Sequence, residues 1–485
     1  MQKLRHKYRN ISAPVKASFW FMICGFMQRG ISVLTTPIFT RLLTTEQYGT
    51  YSVFNSWLEV LTVFITLKLA AGVFTQGLVK NEEDRDVFTS SLLGLATTST
   101  FAWLVIYLLF HRAVNALLDL STLLMLAMFA MMWSTIAYNF WSARERVDYK
   151  YRNLVILTII VSVMKPVLSI LAILMTPVYK AEARILALAA VEVAAYTGLF
   201  IHLMRKGKVF YHKKYWIYAL KFNLPLIPHY LSKTVLNHSD RLMIKAIVGS
   251  SAAGVYSLAY NISSILLIFN NSVTNSLTPW IYKSIKGEKI KNIGPICYMI
   301  LAMIGGINLF LIAIAPEAVA VFAPRSYGDA IWAIPPVTMS VFFQFMYSLF
   351  ASFEFYYEKT RWVMAASVIG AVLNVVLNAI FIPIYGYIAA AYTTLFCYFV
   401  YSMLHYVFMR KVCRKYADDV QPFRLSVILG MSAGFVALGF ALMALFPWPA
   451  IRFALLLVAC VVIFLNRARL MQALKVLRKG KQKEQ

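Results

Sequence analysis

Six lysines and arginines lie inside apolar stretches of this 485-residue chain: Arg29, Lys68, Lys165, Lys233, Arg241 and Lys245. A cation in hydrocarbon is costly, so it turns toward a protein interior or a watery path and takes a partner there. Two of the six stand at related places. Gly49-Thr50-Tyr51-Ser52-Val53 recurs as Gly254-Val255-Tyr256-Ser257-Leu258 at an offset of 205 residues, and that offset maps Arg29 to Thr234, beside Lys233. A cation near one position in both halves of a duplicated bundle predicts a central cavity that receives an anion. Against this stands a plainer reading, in which Glu59 and Asp240 pair with Arg29 and Lys233. Lys165, ahead of Pro166, is a further cavity candidate that Glu192 would neutralise. Lys68 and Lys245, near span ends, read as anchors that snorkel.

Helical positions advance about 100° per residue, so faces follow from spacing. Gly25, Arg29, Ser32 and Thr36 fall within about 60° of arc. Ser52, Asn55, Glu59, Thr62 and Thr66 fall within about 80°, as do His229, Lys233, Asn237 and Asp240. Ser257, Asn261, Ser264, Asn271 and Asn275 share one side of the next segment. Four segments therefore carry a polar stripe in an apolar setting. Such stripes serve either as glue between membrane helices or as cavity lining. Asn374 and Asn378, four apart, face another helix by the same logic. His229 follows Pro225 and Pro228, which free carbonyls and permit a bend. It is a candidate proton carrier, set against the commoner role of a hydrogen-bonded spectator.

The elements that must position these residues are membrane helices. The chain is 60% hydrophobic with a mean hydropathy of +0.67, too apolar for a globular chain of this length. Fourteen spans are expected near 15–39, 47–71, 88–110, 114–139, 153–175, 185–204, 219–247, 253–279, 294–322, 329–353, 362–382, 386–409, 424–446 and 450–466. The first follows a basic start without a cleavage site and should remain as a helix. Most of the 47 lysines and arginines fall on one side of this arrangement, which places both termini in the cytoplasm. The same asymmetry explains the net charge of +27 without nucleic acid. One inner loop departs from it: Glu82, Glu83, Asp84 and Asp86. The charged tail from Arg467 to Lys483 reads as a solvated end near anionic headgroups. The five cysteines are scattered and support neither a metal site nor disulfides.

Six spans separate the repeat copies, so the copies run in the same direction. That predicts an all-α integral membrane protein with two pseudo-symmetric six-helix bundles related by an axis along the membrane normal. The expected parts are an N-terminal lobe at 1–204, a cytoplasmic linker at 205–221, a second lobe at 222–409, and two added helices with a basic tail at 410–485. No GxSxG, P-loop or HExxH occurs in the sequence, and no arrangement reads as catalytic.

Three segments carry a family resemblance. Pro37-Ile-Phe-Thr-Arg-Leu-Leu-Thr-Thr-Glu-Gln-Tyr-Gly-Thr-Tyr51 resembles the junction of the first two helices in oligosaccharide flippases. Asp240-Arg241 with Gly254-Val-Tyr-Ser-Leu-Ala-Tyr260 resembles their seventh and eighth helices. Leu373-Asn-Val-Val-Leu-Asn378 with Ile382-Pro-Ile-Tyr-Gly386 and Ala389-Ala-Ala391 resembles the eleventh and twelfth. The family is the polysaccharide-export branch of the multidrug/oligosaccharidyl-lipid/polysaccharide exporter superfamily.

The resemblance implies a V-shaped fold with alternating access in the bacterial cell membrane. The implied substrate is an oligosaccharide repeat unit on undecaprenyl pyrophosphate, moved to the outer leaflet for capsule or O-antigen. A polysaccharide polymerase and chain-length machinery would be downstream partners. Many members are assigned twelve spans; the related lipid II flippases have fourteen, which keeps a peptidoglycan precursor as an alternative. A multidrug antiporter or a membrane-embedded glycan-modifying enzyme are further alternatives. On this reading Arg29 and Lys233, with Arg241 and Lys165, hold the pyrophosphate, and Asn237 meets sugar hydroxyls. No cofactor is implied. The drive is the membrane potential, or a Na⁺ or H⁺ gradient through Glu59, His229 or Asp240.

Overall fold

The computed structural model describes residues 13–465, and within them all regular structure is helical. The basic N-terminal residues and the tail beyond Leu465 lie outside the described residues. In chain order the helices are α1 (Ala13–Leu42), α2 (Thr45–Ile65), α3 (Val73–Lys80), α4 (Arg85–Leu118), α5 (Thr122–Val147), α6 (Tyr151–Met175), α7 (Lys180–Gly207), α8 (Lys213–Asn223) and α9 (Ile227–Ile247). They continue as α10 (Ser250–Lys286), α11 (Ile293–Ala313), α12 (Ala315–Phe322), α13 (Ala330–Tyr356), α14 (Thr360–Tyr385), α15 (Ile388–Tyr416), α16 (Leu425–Ala444) and α17 (Pro449–Leu465).

Each expected span overlaps a helix, but 294–322 divides at Ile314 into α11 and the short α12, and 219–247 takes in the end of α8 and a 3₁₀ turn before α9; the short α3 lies between spans. By length and composition, eleven of the described helices are long and apolar enough to cross a membrane. Helices α2 and α9 are absent from that set, and they carry two of the polar stripes. Their polar residues lower the mean hydropathy of segments that are otherwise long enough, at 21 residues each. Helix α17 falls short on the length of its apolar run, Pro449–Val458.

Local chemistry sets several boundaries. Between α1 and α2 the chain turns in two residues. Thr44 caps α2 by accepting from the Gln47 amide at 3.2 Å, and Gln47 Oε1 accepts from the Thr44 amide at 3.1 Å. This reciprocal box satisfies two amides that the first turn would leave orphaned. Helix α2 ends at Ile65, not near 71, because Leu67 and Lys68 turn into the left-handed region at φ 53° and 45°. Pro225 and Pro228 were expected to bend a continuous helix. Instead Pro225 sits in a one-turn 3₁₀ segment, Leu224–Leu226, and Pro228 in the first turn of α9. A first turn tolerates proline because its amide has no helical acceptor.

The chain forms two compact units. The first comprises Met1–Ser257 and Asn378–Tyr387, the second Leu258–Leu377 and Ile388–Gln485. One core of the first unit gathers Phe74, Phe88, Phe140 and Trp141 from α3, α4 and α5; another gathers Phe54, Met128, Phe129 and Met132 from α2 and α5. The acidic loop is explained here. Asp86 pairs with Arg144 and Lys206, Arg85 bonds Asp148 at 3.2 Å, and Tyr215 donates to Asp84 at 3.2 Å. Burial, and then Asp84, raises the Tyr215 hydroxyl above its usual range. The loop thus ties the ends of α4, α5, α7 and α8 together.

In the second unit α13 is the central helix, with Phe342, Phe343, Phe345, Phe350 and Phe353 all buried. Neighbouring helices are glued to it by polar pairs: Ser263 with Thr338 at 2.9 Å, and Asn270 to the Val341 carbonyl at 3.0 Å. Arg452 on α17 donates to both carboxylate oxygens of Glu317 on α12, at 2.8 and 2.9 Å. That bidentate bond holds the Glu317 carboxyl below the usual carboxylate range.

Candidate functional site

The repeat motif is a contact surface. Gly49 lies in the first turns of α2 and Gly254 in the first turns of α10, and both belong to the first unit. A Cβ on Gly49 would stand 1.8 Å from the Ser250 carbonyl oxygen, and one on Gly254 would stand 2.0 Å from that of Thr45. Thr45 and Ser250 are themselves related by the offset of 205 residues. The two copies therefore meet reciprocally, backbone on backbone, with Thr45 Oγ1 and Ser251 Oγ bonded at 2.7 Å. Small residues four apart on each helix permit this approach.

The first unit also holds a cavity of about 830 Å³. It is lined by the α2 stripe (Glu59, Thr62, Thr66), by Lys68, and by Thr135, Asn139, Arg146 and Glu192 from α5 and α7; α1 contributes Gln28. The stripe on α2 thus lines a cavity. Thr62 and Thr66 also satisfy their hydroxyls on their own helix, at the Leu58 and Thr62 carbonyls. In the second unit Asn271 and Asn275 of the α10 stripe are exposed.

The expected site residues separate into paired and open cations. Lys68 pairs with Glu59 at 3.9 Å, so Glu59 is not a partner of Arg29. Lys165 pairs with Glu192, whose second oxygen accepts from Thr135 at 3.1 Å. Lys245 pairs with Asp119 at 2.8 Å instead of reaching freely toward an interface. Arg241 is buried on α9 and donates to the Asn237 carbonyl at 3.2 Å. Asn237 donates to the Lys233 carbonyl at 2.8 Å. His229 is half-buried, its ring 5.9 Å from that of Tyr230.

Arg29 and Lys233 are both exposed, and among the described residues neither forms an ion pair. Asp240 does not neutralise Lys233. It is buried, with 2% of its surface exposed, and its oxygens accept from Tyr256 at 2.6 Å and Asn378 at 2.7 Å. The second tyrosine of the repeat thus holds an acid. Its counterpart Tyr51 holds a base, because the Arg184 guanidinium lies 3.5 Å from the Tyr51 ring centre and 3.7 Å from that of Phe39.

Sequence reasoning missed Arg184, which it left in an outer loop. It also missed a second constellation. Glu354 on α13 and His405 on α15 are both fully buried, and Nδ1 of the imidazole lies 2.7 Å from Oε1. Tyr401 and Tyr347 flank the imidazole at ring distances of 4.6 and 5.4 Å. The signal for Arg184 was a cation ahead of an apolar run with aromatic residues in the facing segments. For the Glu–His pair the only signal was two ionisable residues near the same end of the tenth and twelfth spans.

With this geometry in view, similarity to known proteins is informative. A curated relative, an uncharacterized membrane protein of Haemophilus influenzae, is 21% identical over 377 residues, 74% of this chain and 88% of the relative. Among solved structures, the lipid II flippase MurJ in an inward closed conformation superposes with a TM-score of 0.66 at 14% identity, over 94% of this chain and all of that one. An inward-facing multidrug transporter of the MATE family, from the MOP superfamily, superposes with a TM-score of 0.60 at 12% identity, over 80% of this chain and 95% of that one. These likenesses establish a MOP-type transporter fold. Residues 15–285, more than half of the chain, match the family described as polysaccharide biosynthesis protein, and the chain belongs to that family.

Proposed function

We propose that this protein is a flippase that carries undecaprenyl-pyrophosphate-linked oligosaccharide repeat units from the cytoplasmic to the outer leaflet. It would reside in the bacterial cytoplasmic membrane, with both termini inside. The observation that carries the reading is the state of Arg29 and Lys233. Three other intramembrane cations, Lys68, Lys165 and Lys245, are matched with carboxylates, whereas these two stay exposed with no acidic partner among the described residues. An unmatched cation pair on two related helices suits a pyrophosphate, which brings its own negative charge. Lys165 and Arg241 are secondary in this reading because each already has polar partners. Asn237 and the stripes on α2 and α10 would meet sugar hydroxyls and water.

Two negative charges leaving an inside-negative cell gain about 5 kcal/mol per 100 mV, from about 2.3 per charge. A coupled ion would act at Asp240, whose buried carboxylate is held in place by Tyr256 and Asn378. Export of surface glycan in cells carrying Arg29→Ala or Lys233→Ala tests the reading. Loss at normal protein level is expected, with partial retention in Arg29→Lys. Normal export in both alanine variants would overturn it. Lipid II is the second reading, favoured by the full-length superposition on the flippase that bears its name. Vesicles that flip lipid II but no oligosaccharide-linked carrier would select it.

A further inference from the structure

Along one side of α15 the chemistry changes from apolar to basic. Phe396 and Phe399, then Met403 and Val407, are followed at helical spacing by Arg410, Lys411 and Arg414. Helix α16 runs beside it with Val436, Leu429 and Leu425. Two cavities, of about 420 and 460 Å³, lie one helical turn apart along α15 and α16, from Phe399 to Met403 and from Leu429 to Leu425. The first is walled almost wholly by apolar side chains, and the second carries the three cations at the ends of the helices.

All three cations are exposed, and among the described residues none pairs with a carboxylate. Lys411 lies 5.1 Å from the ring centre of Trp362, an arrangement common near a membrane interface. One acid lines the basic end, Asp419, and it accepts from Gln421 at 2.8 Å instead of neutralising the cations. The groove thus has the polarity of an amphiphile: room for an acyl chain along its length, and three cations without a carboxylate partner among the described residues where a headgroup would sit.

We propose that this groove binds one anionic phospholipid, its phosphate on Arg410, Lys411 and Arg414 and an acyl chain against Phe399 and Leu429. Basic pockets between membrane helices at the helix ends select anionic headgroups, and each cation near the surface adds to that preference. The proposal is independent of what Arg29 and Lys233 carry, since those residues belong to the other unit.

The test is native mass spectrometry of the purified full chain in detergent, titrated with dioleoyl-phosphatidylglycerol or dioleoyl-phosphatidylcholine. One phosphatidylglycerol should be retained at least about tenfold more tightly than phosphatidylcholine. The triple variant Arg410→Gln, Lys411→Gln, Arg414→Gln should lose that preference, while Arg410→Lys with Arg414→Lys keeps most of it. Leu429→Trp, which fills the groove, should weaken phosphatidylglycerol without touching a charge. Arg414→Gln alone serves if the triple variant fails to elute as a single species. Four outcomes overturn the proposal: equal binding of the two lipids, an unchanged preference in the folded glutamine variants, displacement by millimolar inorganic phosphate, or tighter capture of undecaprenyl phosphate at the same residues.

Discussion

Placing a methyl group on either glycine of the repeat should force α2 and α10 apart. In Gly49→Ala the new Cβ begins 1.8 Å from the Ser250 carbonyl oxygen, and in Gly254→Ala 2.0 Å from that of Thr45. Ordinary contact begins at 3.4 Å, so the helices must separate by about 1.5 Å. The opposing atoms are backbone, so no rotamer change relieves the clash. Overpacking of this kind costs about 3 kcal/mol, and separation also breaks the 2.7 Å bond between Thr45 and Ser251, worth about 1 kcal/mol more. Each single variant should therefore lose about 4 kcal/mol. The double variant should lose little beyond that, because the first methyl opens the space that the second fills. The resulting coupling energy of about 4 kcal/mol exceeds the usual range of about 0.5–3 for residues in contact, because both methyls meet one backbone contact. Reversible unfolding in mixed micelles, run as a double-mutant cycle, measures it. Single variants within about 1 kcal/mol of the parent, or an additive double variant, would refute the close reciprocal contact.

Glu354→Ala leaves the buried imidazole of His405 without its hydrogen-bond partner and should cost about 1–3 kcal/mol in the same assay. Glu354→Gln, which keeps an oxygen for Nδ1, should cost clearly less. Arg184→Ala empties the sandwich between Phe39 and Tyr51 and should cost about 2 kcal/mol or more. Arg184→Lys should recover only part of this, since a compact ammonium stacks poorly on rings. Glu317 has its folded-state carboxyl held low by Arg452. Its contribution is therefore present above the ordinary glutamate range and is lost as pH falls through the lower folded value. Melting midpoints measured from pH 6 down to pH 3 should show that acid loss in the parent and less of it in Glu317→Gln.

The sequence made some of this legible and hid the rest for physical reasons. Apolar length is one-dimensional, so most of the membrane helices could be read directly. The repeat could be read too, because its glycines are fixed by a backbone approach that admits no side chain. Pairing among the charges was not legible, since it depends on which helix faces which. Glu59 and Lys68 are nine residues apart, yet they pair only because α2 stops at Ile65 and the chain folds back in a left-handed turn. Glu354 and His405 are 51 residues apart and meet only through the packing of α13 on α15. Hydropathy failed in a useful way at α2 and α9. These helices are less apolar than the rest because polar stripes replaced apolar residues on one face, and one of those stripes lines a cavity. A membrane helix that looks too polar to cross is thus evidence about its neighbours. On α2 that neighbour is a cavity, lined by Glu59, Thr62 and Thr66.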